Sequence, residues 1–101
     1  MRLIYITTSN VKEAEKIAKA LVKEKLVACV NIFPIKSIYR WKGKTERTNE
    51  IGMFAKTKNN LVNEVIKRVK ELHSYEVPCI ITFPIEKGYD KFLKWISEVT
   101  K

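Results

Sequence analysis

The sequence predicts an α/β (α+β) sandwich of four strands and two helices in the order β-α-β-β-α-β, closed by one extra C-terminal helix. Three observations carry this reading. Two segments have the i, i+3, i+4 apolar rhythm of amphipathic helices, and each is flanked by short β-branched runs. The two middle runs are joined by Lys42-Gly43-Lys44, a hairpin turn signal. The chain is 101 residues long with 46% apolar content, which suits a single domain over residues 1–101 with one core.

Taken in order, Arg2–Thr8 (RLIYITT) is short, apolar and β-branched, the pattern of a buried strand. Ser9 and Asn10 follow as helix caps. Val11–Leu26 carries apolar residues at 11, 14, 18, 21 and 22, with Lys and Glu on the other face, and is expected to be helical. Val27–Trp41 is strand-like and contains Pro34. Proline donates nothing to a ladder, so this strand belongs on a sheet edge or bulges there. Thr45–Lys58 returns as the next strand, most apolar from Ile51 to Ala55. Asn59 or Asn60 caps a second helix, whose buried stripe is Val62, Val65, Ile66, Val69 and Leu72. Val77–Ile85 forms the fourth strand, ended near Pro84, and Asp90 caps a last helix with Phe92, Trp95, Ile96 and Val99 on one face.

Two βαβ-like halves joined by a hairpin make a ferredoxin-like fold, with strand order 4-1-3-2. That order puts the apolar first strand in the middle and the Pro34 strand on an edge, so pattern and topology agree. It also puts Cys29 and Cys79 on opposite edges. Three strand spacings are about 14 Å, and a disulfide needs Cα atoms within roughly 7 Å. Both cysteines are therefore expected as free thiols, reduced in the cytosol.

The central hairpin is too long for its helices. Each arm of about 14 residues reaches roughly 46 Å at 3.3 Å per residue. A helix of about 14–16 residues covers only roughly 21–24 Å. The uncovered half holds Ile38, Tyr39 and Trp41. A lone ribbon exposing these is unstable, so the chain is expected to pair with copies of itself. The alternative is a strongly bent hairpin folded back over its own sheet.

Charge and composition narrow the function classes. Lys and Arg number 20 against 11 Asp and Glu, a formal charge of +9, which attracts anions without naming one. Lys-rich, Glu-rich and Gln-free usage fits a heat-adapted source. No apolar run approaches the ~20 residues of a bilayer span, and Met1–Thr8 is too short for a signal peptide. A cytoplasmic protein with no membrane partner is expected. Nucleic acid is not the expected partner either. The lysines interleave with glutamates, and Glu50-Ile51-Gly52-Met53-Phe54-Ala55 lacks the basic aromatic signature of sheet-type RNA binders. With one histidine, three glycines and no recognised nucleophile–base motif, neither an enzyme nor an organic cofactor is expected.

Several stretches nevertheless look familiar. Ala28-Cys29-Val30-Asn31 opens the hairpin, and Tyr39-Arg40-Trp41-Lys42-Gly43-Lys44 forms its tip. Lys56-Thr57 closes the third strand, and His73-Ser74-Tyr75-Glu76-Val77-Pro78 leads into the fourth. Tyr89 and Trp95 accompany the last helix. Together these resemble the CutA family, the divalent-cation tolerance proteins, over nearly the whole chain. The resemblance implies a PII-like homotrimer of ferredoxin-like subunits with a cytosolic role in tolerance to copper and other divalent metal ions. In some bacterial relatives, copper is held by a cysteine ending strand one and by paired histidines before a SYEVP-like segment. Thr7 and Leu72-His73 stand at those positions here. One ligand of three is retained, so the resemblance implies weak copper or other divalent-cation binding.

The residues themselves nominate two clusters. Cys29 and His73 are the metal candidates, a soft thiolate and an imidazole. Two ligands per chain do not close a four-coordinate site, so symmetry mates or water must complete it. The competing roles are a small buried hydrophobe for Cys29 and a helix-end hydrogen-bonding residue for His73. Tyr39, Trp41, Glu50 and Tyr75, joined by Lys56 and Thr57, are the ligand candidates. They suggest an intersubunit cleft for a small anion, as in a PII-like regulator, or simply interface packing.

Overall fold

The structure, a computed structural model, describes residues 1–101. Its elements are β1 (Arg2–Thr8), α1 (Val11–Lys23), β2 (Cys29–Trp41), β3 (Lys44–Thr57), a 3-10 turn (Asn59–Leu61), α2 (Val62–Leu72), β4 (Ile80–Pro84) and α3 (Asp90–Val99). The sheet order is β2-β3-β1-β4, the expected arrangement, and every neighbouring pair is antiparallel. β2 is an edge strand, and Pro34 keeps register opposite Ile51.

Helix ends follow local chemistry. Asn10 caps α1 by accepting the Glu13 N–H on its side chain at 2.8 Å. α1 stops at Lys23, three residues before the expected end. Lys25 takes a positive φ of 59°, its N–H bonds the Val22 carbonyl, and the Leu26 N–H bonds the Leu21 carbonyl. This is a Schellman-type ending with lysine where glycine is usual. α2 starts through a 3-10 turn, without a side-chain cap from Asn59 or Asn60. Tyr89, and not Asp90, is the cap residue of α3; Asp90 sits in the first turn, where its charge suits the helix dipole.

The core lies between the helices and one face of the sheet. Ile4, Ile6, Met53 and Ala55 pack there with Ala14, Ile17, Leu21, Val62, Val65 and Val69. Of the expected α1 stripe, Ala14 and Leu21 are fully buried and Ala18 packs against the core; Ile17, outside that stripe, is also fully buried, whereas Val11 and Val22 stay 48% and 44% exposed. Alternation along the strands sends the intervening residues to the opposite face. There Tyr5, Phe54 and Phe33 form an aromatic row across three strands, with ring centroids 5.6 and 5.0 Å apart. Ile81 and Phe83 extend this face and are exposed.

The hairpin turns at Lys42-Gly43, both with positive φ (49° and 77°), the two-residue geometry that matches strand twist. β1 pairs β3 only from Ile51 to Thr57, so beyond Glu50 the hairpin is a two-stranded ribbon. The molecule is correspondingly long, 44 Å against 25 and 21 Å. Ile38 on this ribbon is 71% exposed. α3 likewise leaves Phe92, Trp95 and Val99 exposed and buries Ile96 alone.

Candidate functional site

The segment between α2 and β4 is held by side chains. His73 closes α2, its N–H bonding the Val69 carbonyl at 2.9 Å. Its ring Nε2 lies 2.7 Å from the Thr7 carbonyl, and its Nδ1 accepts the Tyr75 N–H at 3.1 Å. An accepting Nδ1 leaves the proton on Nε2, which donates to Thr7, so both ring nitrogens are engaged. The next N–H, of Ser74, donates to Glu13 Oε2 at 2.8 Å. Burial alone would raise the Glu13 carboxyl, but the hydrogen bonds from Ser74 prevail and hold it below its ordinary range. These bonds take up the backbone that would otherwise extend the strand. β4 therefore starts at Ile80, three residues later than expected, and Val77 is 68% exposed.

Tyr75 is thereby aimed at the root of the ribbon. Its hydroxyl donates to Glu50 Oε2 at 2.6 Å. Glu50 is only 7% exposed and sits opposite Ile35, one step beyond the last β1–β3 pair. Burial, followed by this bond to Glu50, pushes the Tyr75 phenol well above its ordinary value. Burial, with Glu50 adding to it, also raises the Cys79 thiol, although a hydrogen bond with Thr7 pulls the other way. The Tyr5 phenol is raised by burial, Cys79 and Glu50 in that order. All three shifts favour the protonated hydroxyls and thiol beside the Glu50 side chain.

A cavity of about 670 Å³ opens here, between the ribbon and the Tyr75–Cys79 segment. The structure brings Tyr39, Trp41, Glu50 and Tyr75 together on its wall, as their aromatic and acidic chemistry suggests. Lys56 and Thr57 do not join them. Thr57 is fully buried on the helix side, its hydroxyl donating to the Leu26 carbonyl at 2.6 Å. Lys56 bonds the Asn31 side chain lower on the sheet. The sequence reading missed Tyr5, Thr7, Cys79 and Glu76 as wall residues. Odd-numbered alternation of Tyr5 and Thr7 in β1 was the available signal. Cys79 and Glu76 depend on a loop path that periodicity does not encode.

Cys29 and His73 lie apart within the protomer. Cys29 opens β2 opposite Lys56, which faces Leu3, whereas His73 bonds Thr7. The four steps from Leu3 to Thr7 span about 13 Å. No group of three or more His, Cys, Asp or Glu side chains is placed to hold a metal ion. One protomer therefore does not fit a resident metal. Both cysteines are free, as expected.

Comparison with known proteins agrees with this architecture. The family model for the CutA1 divalent ion tolerance protein matches residues 2–99. A divalent-cation tolerance protein CutA from Archaeoglobus fulgidus is 51% identical over 98 residues, covering 97% of this chain and 96% of that one. The crystal structure of CutA1 from Pyrococcus horikoshii superposes with a TM-score of 0.96 at 40% identity, over 100% of this chain and 99% of that one. A PII-like protein CutA from Nostoc, in apo form, superposes with a TM-score of 0.94 at 28% identity, over 100% of this chain and 98% of that one. From strand register to hairpin tip, the chain belongs to the CutA1 family of divalent ion tolerance proteins.

Proposed function

We propose that the protein is a non-enzymatic, cytoplasmic homotrimer that takes part in tolerance or response to divalent metal ions. The observation that carries the assembly is the uncovered sheet face, where the Tyr5–Phe54–Phe33 row continues into exposed Ile81 and Phe83 beside an unsupported ribbon. A face of this size and apolarity calls for burial against another chain. Three copies are the arrangement that the CutA resemblance implies, and the shared subunit fold of a PII-like CutA protein supports this reading. Copper or another divalent cation is bound weakly in this reading, by groups from adjoining subunits that include Cys29 and, at the cost of its bond to Thr7 or Tyr75, His73. Sedimentation equilibrium at micromolar concentration is expected to give three times the chain mass; a folded single chain would overturn the proposal. Copper titration by calorimetry, on the wild type and on Cys29→Ser and His73→Ala, tests the metal groups, and unchanged affinity in both variants removes them.

A second reading is favoured by the cavity. Its volume and mixed aromatic and polar wall suit a small ligand, as in a PII-like regulator. The anionic form of this reading relied on Lys56 and Thr57, which the structure places elsewhere.

A further inference from the structure

We propose that the cavity at the root of the ribbon takes a small organic cation, an alkylammonium group, with Glu50 as its counterion and Trp41, Tyr39 and Tyr75 as its aromatic wall. This deepens the regulator reading and rests on it, by naming the chemical class of the ligand.

The argument begins with an unbalanced charge. Glu50 is 7% exposed, and the hydrogen bond it receives comes from a neutral donor, the Tyr75 hydroxyl. The ion pairs of the molecule are Arg68–Glu24, Arg68–Glu71, Lys94–Glu98 and Lys101–Glu64, and none includes Glu50. A buried carboxylate without a cation is costly and attracts one. Although the chain carries +9 overall, the cavity wall holds two carboxylates, Glu50 and Glu76, against the single ammonium of Lys36. Lys36 is exposed on a flexible stem, so it leaves the interior without sacrificing a bond. The charged side chains of the wall therefore sum to the opposite sign from the whole chain, which favours a cation over an anion there.

The remaining wall fits the same ligand class. Aromatic faces carry negative potential and attract cations, more strongly where water is excluded. Trp41 already takes an ammonium in this way, since Lys42 Nζ stands 5.7 Å from its ring centroid. A bare divalent metal is a poorer fit, because no three acidic, thiol or imidazole groups converge on one point. A neutral metabolite would leave Glu50 uncompensated.

The test is calorimetry on the full chain in its native assembly, with three probes of matched length: n-pentylammonium chloride, n-pentanol and sodium pentanoate. Saturable binding of pentylammonium, at least about ten-fold tighter than pentanol and without pentanoate binding, is the expected result. Glu50→Gln keeps an acceptor for Tyr75 and removes the charge; it is expected to lower pentylammonium affinity by about ten-fold or more. Trp41→Leu, on the exposed ribbon, is expected to lower it several-fold and keeps the test open should Glu50→Gln fail to fold. If pentanol or pentanoate binds as tightly as pentylammonium, the cation assignment is overturned while the cavity stands as a ligand site. If none of the three saturates, both readings fall. Wild-type affinity in folded Glu50→Gln or in Trp41→Leu also overturns the proposal.

Discussion

The Tyr75 hydroxyl donates to the Glu50 carboxylate across 2.6 Å, tying the segment before β4 to the place where the ribbon leaves the sheet. Tyr75→Phe keeps the ring and strips the donor, leaving a buried carboxylate unsatisfied. A loss of about 1–3 kcal/mol in urea unfolding at neutral pH is expected. The phenol is raised in the folded state, so its contribution is intact below the unfolded value of about 10 and fades as pH climbs through the folded value. Wild-type stability should therefore fall in strong alkali, and the Phe variant should fall less over the same range.

Glu13 supplies the opposite sign. Its carboxyl is lowered in the fold by the Ser74 hydrogen bonds, which outweigh the burial that alone would raise it, so its contribution is present above the unfolded value of about 4.3 and disappears as pH drops through the folded value. Glu13→Gln is expected to lose about 1 kcal/mol at pH 7. It should also show a shallower decline than the wild type below about pH 4. Urea midpoints across an acid series check this.

Gly52 is there for close approach. A methyl group at this position would lie 2.5 Å from the Phe33 ring and 3.2 Å from Ile35 Cγ2. Gly52→Ala should displace Phe33 from the aromatic row and cost about 1–3 kcal/mol. A lower denaturant midpoint with altered near-ultraviolet dichroism is the expected signature.

How much of this was legible follows from range of interaction. The Lys42-Gly43 turn is legible because turn chemistry depends on neighbours in sequence, whereas strand order and Pro34 on an edge follow from the element order, which few topologies satisfy. The start of β4 is not legible, because Ser74 and Tyr75 give their N–H groups to Glu13 and His73, side chains whose reach periodicity cannot reveal. Ile17 joins Ala14 and Leu21 on the buried face of α1, because positions three and four apart share one side of a helix; Val11 and Val22 fall at the margin of that face. Four of the six ligand candidates share the cavity; Lys56 and Thr57 count among the candidates as polar groups for an anion, but Lys56 lies lower on the sheet and strand alternation sends Thr57 to the other side.

The open face offers a direct probe of assembly. Phe54→Lys puts an ammonium between the Tyr5 and Phe33 rings, where a subunit contact would have to desolvate it. Sedimentation velocity is expected to show a shift from the assembled species to single chains, with helical content by far-ultraviolet dichroism retained.

Pro34 stands in an edge strand and lacks an amide hydrogen. A foreign strand laid along that margin would meet a missing donor partway, so the zipper could not run unbroken. The same residue that announces the edge in the sequence thus guards it against open-ended fibre growth, leaving closed, finite self-association as the accessible outcome.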